Sequence, residues 1–169
     1  MAEAFRSEFY QTVDKKARMT IPAEFRKTLE EEDPATEAKP RSRVYMVYGG
    51  ASRNFVECYS VRGADQLAAR IDEMEWGSED REEAERELIS RAVMVEIEPD
   101  GRFVLPQRVR EKIGFGSDLL DTGGSAVLAG FTNRFKLYRR EVYDAEQAER
   151  EKKKSVDPLA LVGRHKRAV

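Results

Sequence analysis

Near the N-terminus, the residues Asp14-Lys15-Lys16-Ala17-Arg18 place a carboxylate four positions ahead of a guanidinium, with two lysines between them. A carboxylate at that spacing can hold an arginine through a charge-assisted bond and reduce the entropy it loses on binding. An arginine held this way presents a fork that matches the O6 and N7 acceptors of guanine, while lysines suit phosphates. A second segment, Glu98-Pro99-Asp100-Gly101-Arg102, repeats the spacing but has a proline and a further acid where the first has lysines. On this reading Lys15, Lys16, Arg18 and Arg102 are the residues that would touch DNA. Asp14 and Glu98 would orient the two arginines. The first loop should be the stronger of the two. Taken alone, Asp14 and Arg18 could equally form a surface salt bridge closing a hairpin. Repetition of the segment in matching surroundings favours the binding role. For Arg102 a structural role stays open.

The surroundings repeat as well. With an offset of 84, Val13 matches Ile97, Ile21 matches Leu105, Pro22 matches Pro106, Arg26 matches Arg110 and Leu29 matches Ile113. Each copy reads as a short strand, a polar turn, a second short strand, a proline and a helix. Proline suits the first turn of a helix because its missing N–H would have no partner there. Phe25 with Leu29, and Val109 with Ile113, fall one turn apart on an apolar face. Gly114 marks the stop of the second helix. Residues 44 to 59 and 126 to 140 look like a second repeated unit, a hairpin with a turn of Gly, Ser, Asn and Arg. Its offset is 80, matching Gly50 to Gly130 and Phe55 to Phe135. That shift calls for four additional residues in the first connector, a surface loop around residues 30 to 43. Between the copies Leu67, Ile71 and Met74 predict one amphipathic helix, and Ser78 is the expected N-cap of the next. A last helix is expected from Glu141 to Lys154, followed by a mobile basic tail.

Composition narrows the function class. The chain has 169 residues, enough for one domain or two intimately packed halves. Charged residues make up 37%, yet the net charge is only −2, so a basic surface would need its acids segregated elsewhere. The acidic run from Asp72 to Glu87 fits a face turned away from DNA. One cysteine, Cys58, and one histidine, His165, argue against a disulfide framework, a His/Cys metal site and a His-assisted hydrolase. No cofactor, metal or small-molecule substrate is expected. The lack of a long apolar run predicts neither a signal peptide nor a membrane span, hence a cytoplasmic protein. Cys58 reads as a core residue of a strand and Trp76 as packing between helices. Arg26 and Arg110 read as solvated helix positions or interface ion pairs. Arg53 and Arg134 lie in hairpin turns, where oligomer contacts and DNA contacts are equally open.

The segments VDKKARMTIPAEFR, VYMVYGGASRNFVECY, IEPDGRFVLPQRVR and VLAGFTNRFKLY together resemble the MraZ family over roughly residues 4 to 150. The resemblance implies an α+β fold of two tandem AbrB-like half-domains forming a swapped-hairpin β-barrel with flanking helices. The half-domains would span 4–62 and 91–140. Acidic helices at 63–90 would connect them, and a C-terminal helix and basic tail would occupy 141–169. The resemblance also implies a non-enzymatic transcriptional regulator that is nucleoid-associated and assembles into a ring-shaped homo-oligomer. Its expected partner is double-stranded DNA, as short G-rich repeats in the promoter of a division and cell-wall operon that it represses and that usually contains its own gene. This chain departs from the family pattern in having Ala17 for a glycine and Glu98 for an aspartate. The 30–43 insertion and the C-terminal extension also depart from it. Two other classes compete. An AbrB-type antitoxin or protein-binding module would use one half-domain and a disordered arm, which the full duplication disfavours. An enzyme would need a catalytic arrangement that the many carboxylates do not form.

Overall fold

The structure, a computed structural model, describes residues 3–153 and 156–165. Lys154, the expected end of the last long helix, and residues 166–169 of the basic tail lie outside the described residues. The first copy runs β1 (Glu8–Val13), β2 (Arg18–Thr20), α1 (Ala23–Glu31), β3 (Arg43–Val47) and β4 (Val56–Tyr59). Helices α2 (Val61–Asp72) and α3 (Glu79–Ala84) follow, with α3 continuing as a π-helical stretch over Glu85–Ser90. The second copy runs β5 (Ala92–Glu96), β6 (Arg102–Val104), α4 (Gln107–Ile113), α5 (Asp118–Thr122), β7 (Gly124–Gly130) and β8 (Phe135–Arg139). Helices α6 (Arg140–Glu151) and α7 (Pro158–Arg164) come last. Pro22 and Pro106 are the N-caps of α1 and α4, and Ser78 caps α3 by accepting from the Arg81 N–H at 3.2 Å. Gly114 ends α4.

The two copies exchange strands. The main sheet is antiparallel in the order β1-β7-β8-β4-β3-β5, so β1 of the first copy pairs with β7 of the second, and β5 of the second with β3 of the first. The centre of the sheet is the β4–β8 pair. Strands β2 and β6 form a separate antiparallel ribbon in which Met19 faces Phe103. Around that pair the Ile21 N–H donates to the Gly101 carbonyl, and the Leu105 N–H to the Ala17 carbonyl, an internal two-fold relation. The architecture is α+β. The described strands form no closed barrel, because the sheet keeps β1 and β5 as edges and the ribbon does not join it.

One face of the sheet and the inner face of the ribbon share the main core. Met19, Ile21, Phe103 and Leu105 from the ribbon pack with Val44, Met46, Val56, Ala126, Leu128 and Leu137, and with Phe25 and Val109 from α1 and α4. Phe5, Phe25 and Phe135 pack against one another, with ring centroids 5.3 Å (Phe5–Phe25, edge-on), 5.2 Å (Phe5–Phe135) and 4.8 Å (Phe25–Phe135) apart. Cys58 is fully buried there, as its strand position suggested, and burial followed by the nearby Glu57 charge pushes its thiol pKa well above the ordinary value. The opposite face of the sheet carries α2, the π-helical stretch Glu85–Ser90 and α6. Tyr138 and Tyr143 pack there, and the Tyr143 hydroxyl donates to Glu8.

Three sequence expectations need correcting. The hairpin offset of 80 does not describe the fold. Val44 and Met46 take the core positions of Ala126 and Leu128, while Val56 and Cys58 take those of Phe135 and Leu137. Phe55 is instead half-buried on the helix-bearing face, against Tyr138. The length difference is therefore shared between the connector and the hairpin turn. Gly50 turns at φ +87°, whereas Gly130 lies where a Cβ would come within 2.5 Å of the Phe5 backbone. Trp76 is 84% exposed and packs between no helices; the Arg81 guanidinium covers its ring at 5.0 Å. Glu87, in the acidic run, is mostly buried rather than outward, accepting from the Gly50 N–H at 2.9 Å.

Candidate nucleic-acid interface

Loop 1 joins β1 to β2. The Asp14 N–H donates to the Arg18 carbonyl at 3.0 Å and the Ala17 N–H to the Asp14 carbonyl at 2.9 Å, which closes a tight turn. Inside it the Asp14 carboxylate is nearly saturated. Oδ1 accepts from the N–H groups of Lys16 and Arg18 at 2.8 and 2.9 Å, and Oδ2 accepts from Arg18 Nε at 3.0 Å. These bonds, the Arg18 backbone N–H first, hold the Asp14 pKa below its ordinary value. One carboxylate thus fixes both the turn and the arginine. Nε is used inward, so the guanidinium keeps its remaining donors for a ligand. Lys15 and Lys16 are exposed on the outer side of the turn.

Loop 2 joins β5 to β6 with the same backbone. The Glu98 N–H donates to the Arg102 carbonyl at 2.9 Å and the Gly101 N–H to the Glu98 carbonyl at 2.8 Å. Its side chains are arranged differently. The Arg102 N–H donates to Asp100 Oδ1 at 3.0 Å, and Arg102 Nε lies 3.6 Å from Asp100 Oδ2. The Glu98 carboxylate makes no hydrogen bond or ion pair with Arg102 and lies 3.7 Å from Arg41 Nη1. The carboxylate beside Arg102 is therefore Asp100 rather than Glu98, because the shorter Asx side chain two positions back reaches the turn. Side-chain exposure follows the bonding: Arg18 is 41% exposed and Arg102 60%.

Both arginines sit on one surface. Arg18 and Arg102 line a shared shallow cavity of about 240 Å³ with Thr12, Asp14, Met19 and Thr20, at the outer side of the β2–β6 ribbon. Helix α2, of balanced charge, and the π-helical stretch that continues the acidic α3 pack on the opposite face of the sheet. The segregation of charge is partial, because Glu96, Glu98 and Asp100 line a neighbouring cavity of about 600 Å³ together with Arg18 and Arg102. Among the described residues no His, Cys, Asp or Glu cluster could hold a metal ion, and no helix is long and apolar enough to cross a membrane.

The chain is 42% identical over 151 residues to the transcriptional regulator MraZ of Cereibacter sphaeroides (strain KD131), covering 89% of each protein. It is 34% identical over 147 residues to the transcriptional regulator MraZ of Ruegeria pomeroyi, covering 87% of this chain and 84% of that protein. The chain belongs to the MraZ family. A protein of the same name from Roseiflexus castenholzii is 29% identical over 137 residues. No family model matches the chain.

Within this MraZ-family chain the departure at Ala17 has a structural counterpart. Ala17 adopts φ +61°, a left-handed conformation that a residue with a Cβ tolerates at a cost, and it is fully buried. Gly101 adopts φ +87°, and a Cβ there would come within 2.5 Å of Arg26 Nη1. Arg26 of α1 thus rests on the second loop. Its sequence counterpart Arg110 lines another cavity, with Gln107, Glu111 and Phe115, and its Nε is buried without a partner.

Sequence reasoning missed the buried charge at the centre of the sheet. Glu57 is 4% exposed and accepts from the Tyr59 hydroxyl and from Arg134 Nε at 3.0 Å, with Arg53 Nη1 at 3.4 Å. Burial pushes its pKa up, but the Tyr59 and Arg134 hydrogen bonds and the Arg53 charge outweigh burial, and the carboxyl titrates below its ordinary value. Arg53 and Arg134 therefore have an intramolecular role, to neutralise this acid. The alternation of a strand with one polar position did not single Glu57 out, since such positions usually face water.

Proposed function

We propose that this member of a family of transcriptional regulators is a sequence-specific double-stranded DNA-binding protein that represses its own division and cell-wall operon. The reading rests on one observation: the Asp14 carboxylate locks Arg18 and its turn together, on the same surface as Arg102. A held arginine beside two exposed lysines can read a guanine edge and anchor to phosphates at once. Arg18, Lys15 and Lys16 are the principal contacts of this proposal, and Arg102 is a weaker one. The operon and its short promoter repeats come from the family resemblance. In the same reading the two copies are AbrB-like half-domains, which the exchanged pairings β1–β7 and β3–β5 support.

A ring of such chains gains affinity by multivalency. Each loop can bind weakly, because neighbouring loops meet successive repeats at high effective concentration. The test is a titration of duplexes carrying one, two and three repeats from the upstream region of the protein's own gene, over a series of salt concentrations. Affinity should rise steeply with repeat number and fall steeply with salt. Equal affinity for one repeat and for three would end the multivalent reading. Loss of preference over a scrambled duplex would end sequence specificity.

A further inference from the structure

The two loops differ in what the neighbouring strand sets beside them. The β1–β7 register pairs Val13 with Gly124, and one step further it brings Gly123 to Asp14. The β5–β3 register pairs Glu96 with Arg43, the Ile97 N–H donates to the Ser42 carbonyl at 2.8 Å, and one step further it brings Arg41 to Glu98. The loop that carries Lys15 and Lys16 thus has a glycine across from its acid. The loop that carries no lysine has an arginine there.

Arg41 is not placed by chance contact. The connector that bears it is clamped at both ends. Asp33, 6% exposed, accepts from Arg43 Nε and Nη2 at 2.9 and 2.8 Å, and Lys39 Nζ lies 4.0 Å from the same carboxylate. The Arg43 hydrogen bonds, with its charge and that of Lys39, hold the Asp33 pKa below its ordinary value despite the cost of burial. Cross-strand pairing then fixes the backbone of Arg41 beside the second loop. Arg41 Nη1 lies 3.7 Å from Glu98 Oε1, and the side chain stays 45% exposed. An ion pair as exposed as this adds little to folding. Its effect is on the surface field: Glu98 and Asp100 outnumber Arg102 in the loop, and Arg41 offsets one of them while keeping free N–H donors.

We propose that the connector at residues 32–42 is an arm that equips the second loop for DNA, with Arg41 masking Glu98 and itself meeting a phosphate beside Arg102. The proposal rests on the reading of the two loops as the DNA-facing surface. It assigns a use to the longer first connector.

The experiment is a salt series of binding titrations with the full chain and a labelled duplex covering the upstream region of its own gene. Arg41→Gln, Arg41→Lys, Glu98→Gln and the double variant Arg41→Gln/Glu98→Gln are compared with Arg140→Gln, a charge removed from α6. Arg41→Gln should weaken binding and flatten the plot of log affinity against log salt by about one per engaged protomer. Arg41→Lys should keep the wild-type slope. Glu98→Gln should tighten binding, and the double variant should recover part of the lost affinity without recovering the slope. Thermal midpoints should stay unchanged throughout. Wild-type binding with the same slope in Arg41→Gln, or an equal loss in Arg140→Gln, would overturn this proposal and leave the DNA reading intact. A folded wild-type chain that binds no duplex would overturn the DNA reading itself.

Discussion

Loops 1 and 2 have the same backbone hydrogen bonds and different side-chain chemistry, so they separate geometry from charge. In the first, a single aspartate saturates its oxygens on two backbone N–H groups and one guanidinium, and lysines flank it. In the second, the orienting acid sits two residues before the arginine, the contact lengthens to 3.6 Å, and the cations come from elsewhere in the chain. The turn itself is set by backbone bonding that tolerates either residue set. The side-chain chemistry is written on top of it and differs between the two copies.

The largest contrast should come from deleting the arginines. Arg18→Ala removes a held fork, so a guanine contact worth ~1–3 kcal/mol is expected to vanish, and with it most discrimination between repeat and scrambled duplexes. Arg102→Ala removes a looser, more exposed side chain and should cost clearly less. Paired titrations at one salt concentration measure both. Equal losses would break the claim that the loops are unequal, and retained specificity in a folded Arg18→Ala protein would remove the first loop from the interface.

Glycine chemistry gives the next contrast. Gly101→Ala puts a Cβ at φ +87° and within 2.5 Å of Arg26 Nη1, so strain of about 1–2 kcal/mol is expected, plus displacement of the arginine. Ala17→Gly relieves similar strain in loop 1 but removes a buried methyl and adds chain entropy, so the net change should stay within about 1 kcal/mol. Denaturant midpoints compare the two. A neutral Gly101→Ala would show that the second turn relaxes away from Arg26.

Much of this was legible in the sequence because it is periodic or local. The strand-turn-strand-proline-helix repeat, the Ser78 cap and the helix stop at Gly114 all follow from residue preferences that act within one turn of chain. Asp14 and Arg18 are likewise four residues apart. The features that sequence reasoning missed depend on long-range register. Glu57 meets Arg134 across 77 positions, Arg41 meets Glu98 only through the β3–β5 pairing, and the hairpin offset shifts because buried faces, not matching glycines, decide alignment. Trp76 illustrates a different limit, since a large apolar residue between helices is not obliged to be covered by them.

The smallest effect is also the most specific to the first loop. Asp14→Asn keeps an oxygen for the two backbone N–H groups but sets an NH2 donor against Arg18 Nε where Oδ2 accepted, so the turn should persist, the guanidinium should come loose and binding should weaken several-fold. Asp100→Asn should change binding less, because its contact with Arg102 is already long. The pH dependence of Asp14 separates backbone from side-chain ordering. Its depressed pKa means that the ordering it contributes is fully present above the ordinary carboxylate range and is lost only as the pH falls through the lower folded value. The largest cause of the depression is the Arg18 backbone N–H, which Arg18→Ala retains. The Asp14 carboxyl carbon, followed by NMR, should therefore titrate below a peptide aspartate in the wild type and rise only part of the way in Arg18→Ala. A full return to the peptide value would mean that the guanidinium, not the turn, organises the loop. In the second loop Asp100 also takes both the Arg102 backbone N–H, at 3.0 Å, and the guanidinium, but the latter only at 3.6 Å, so that loop would then be the weaker design for that reason alone.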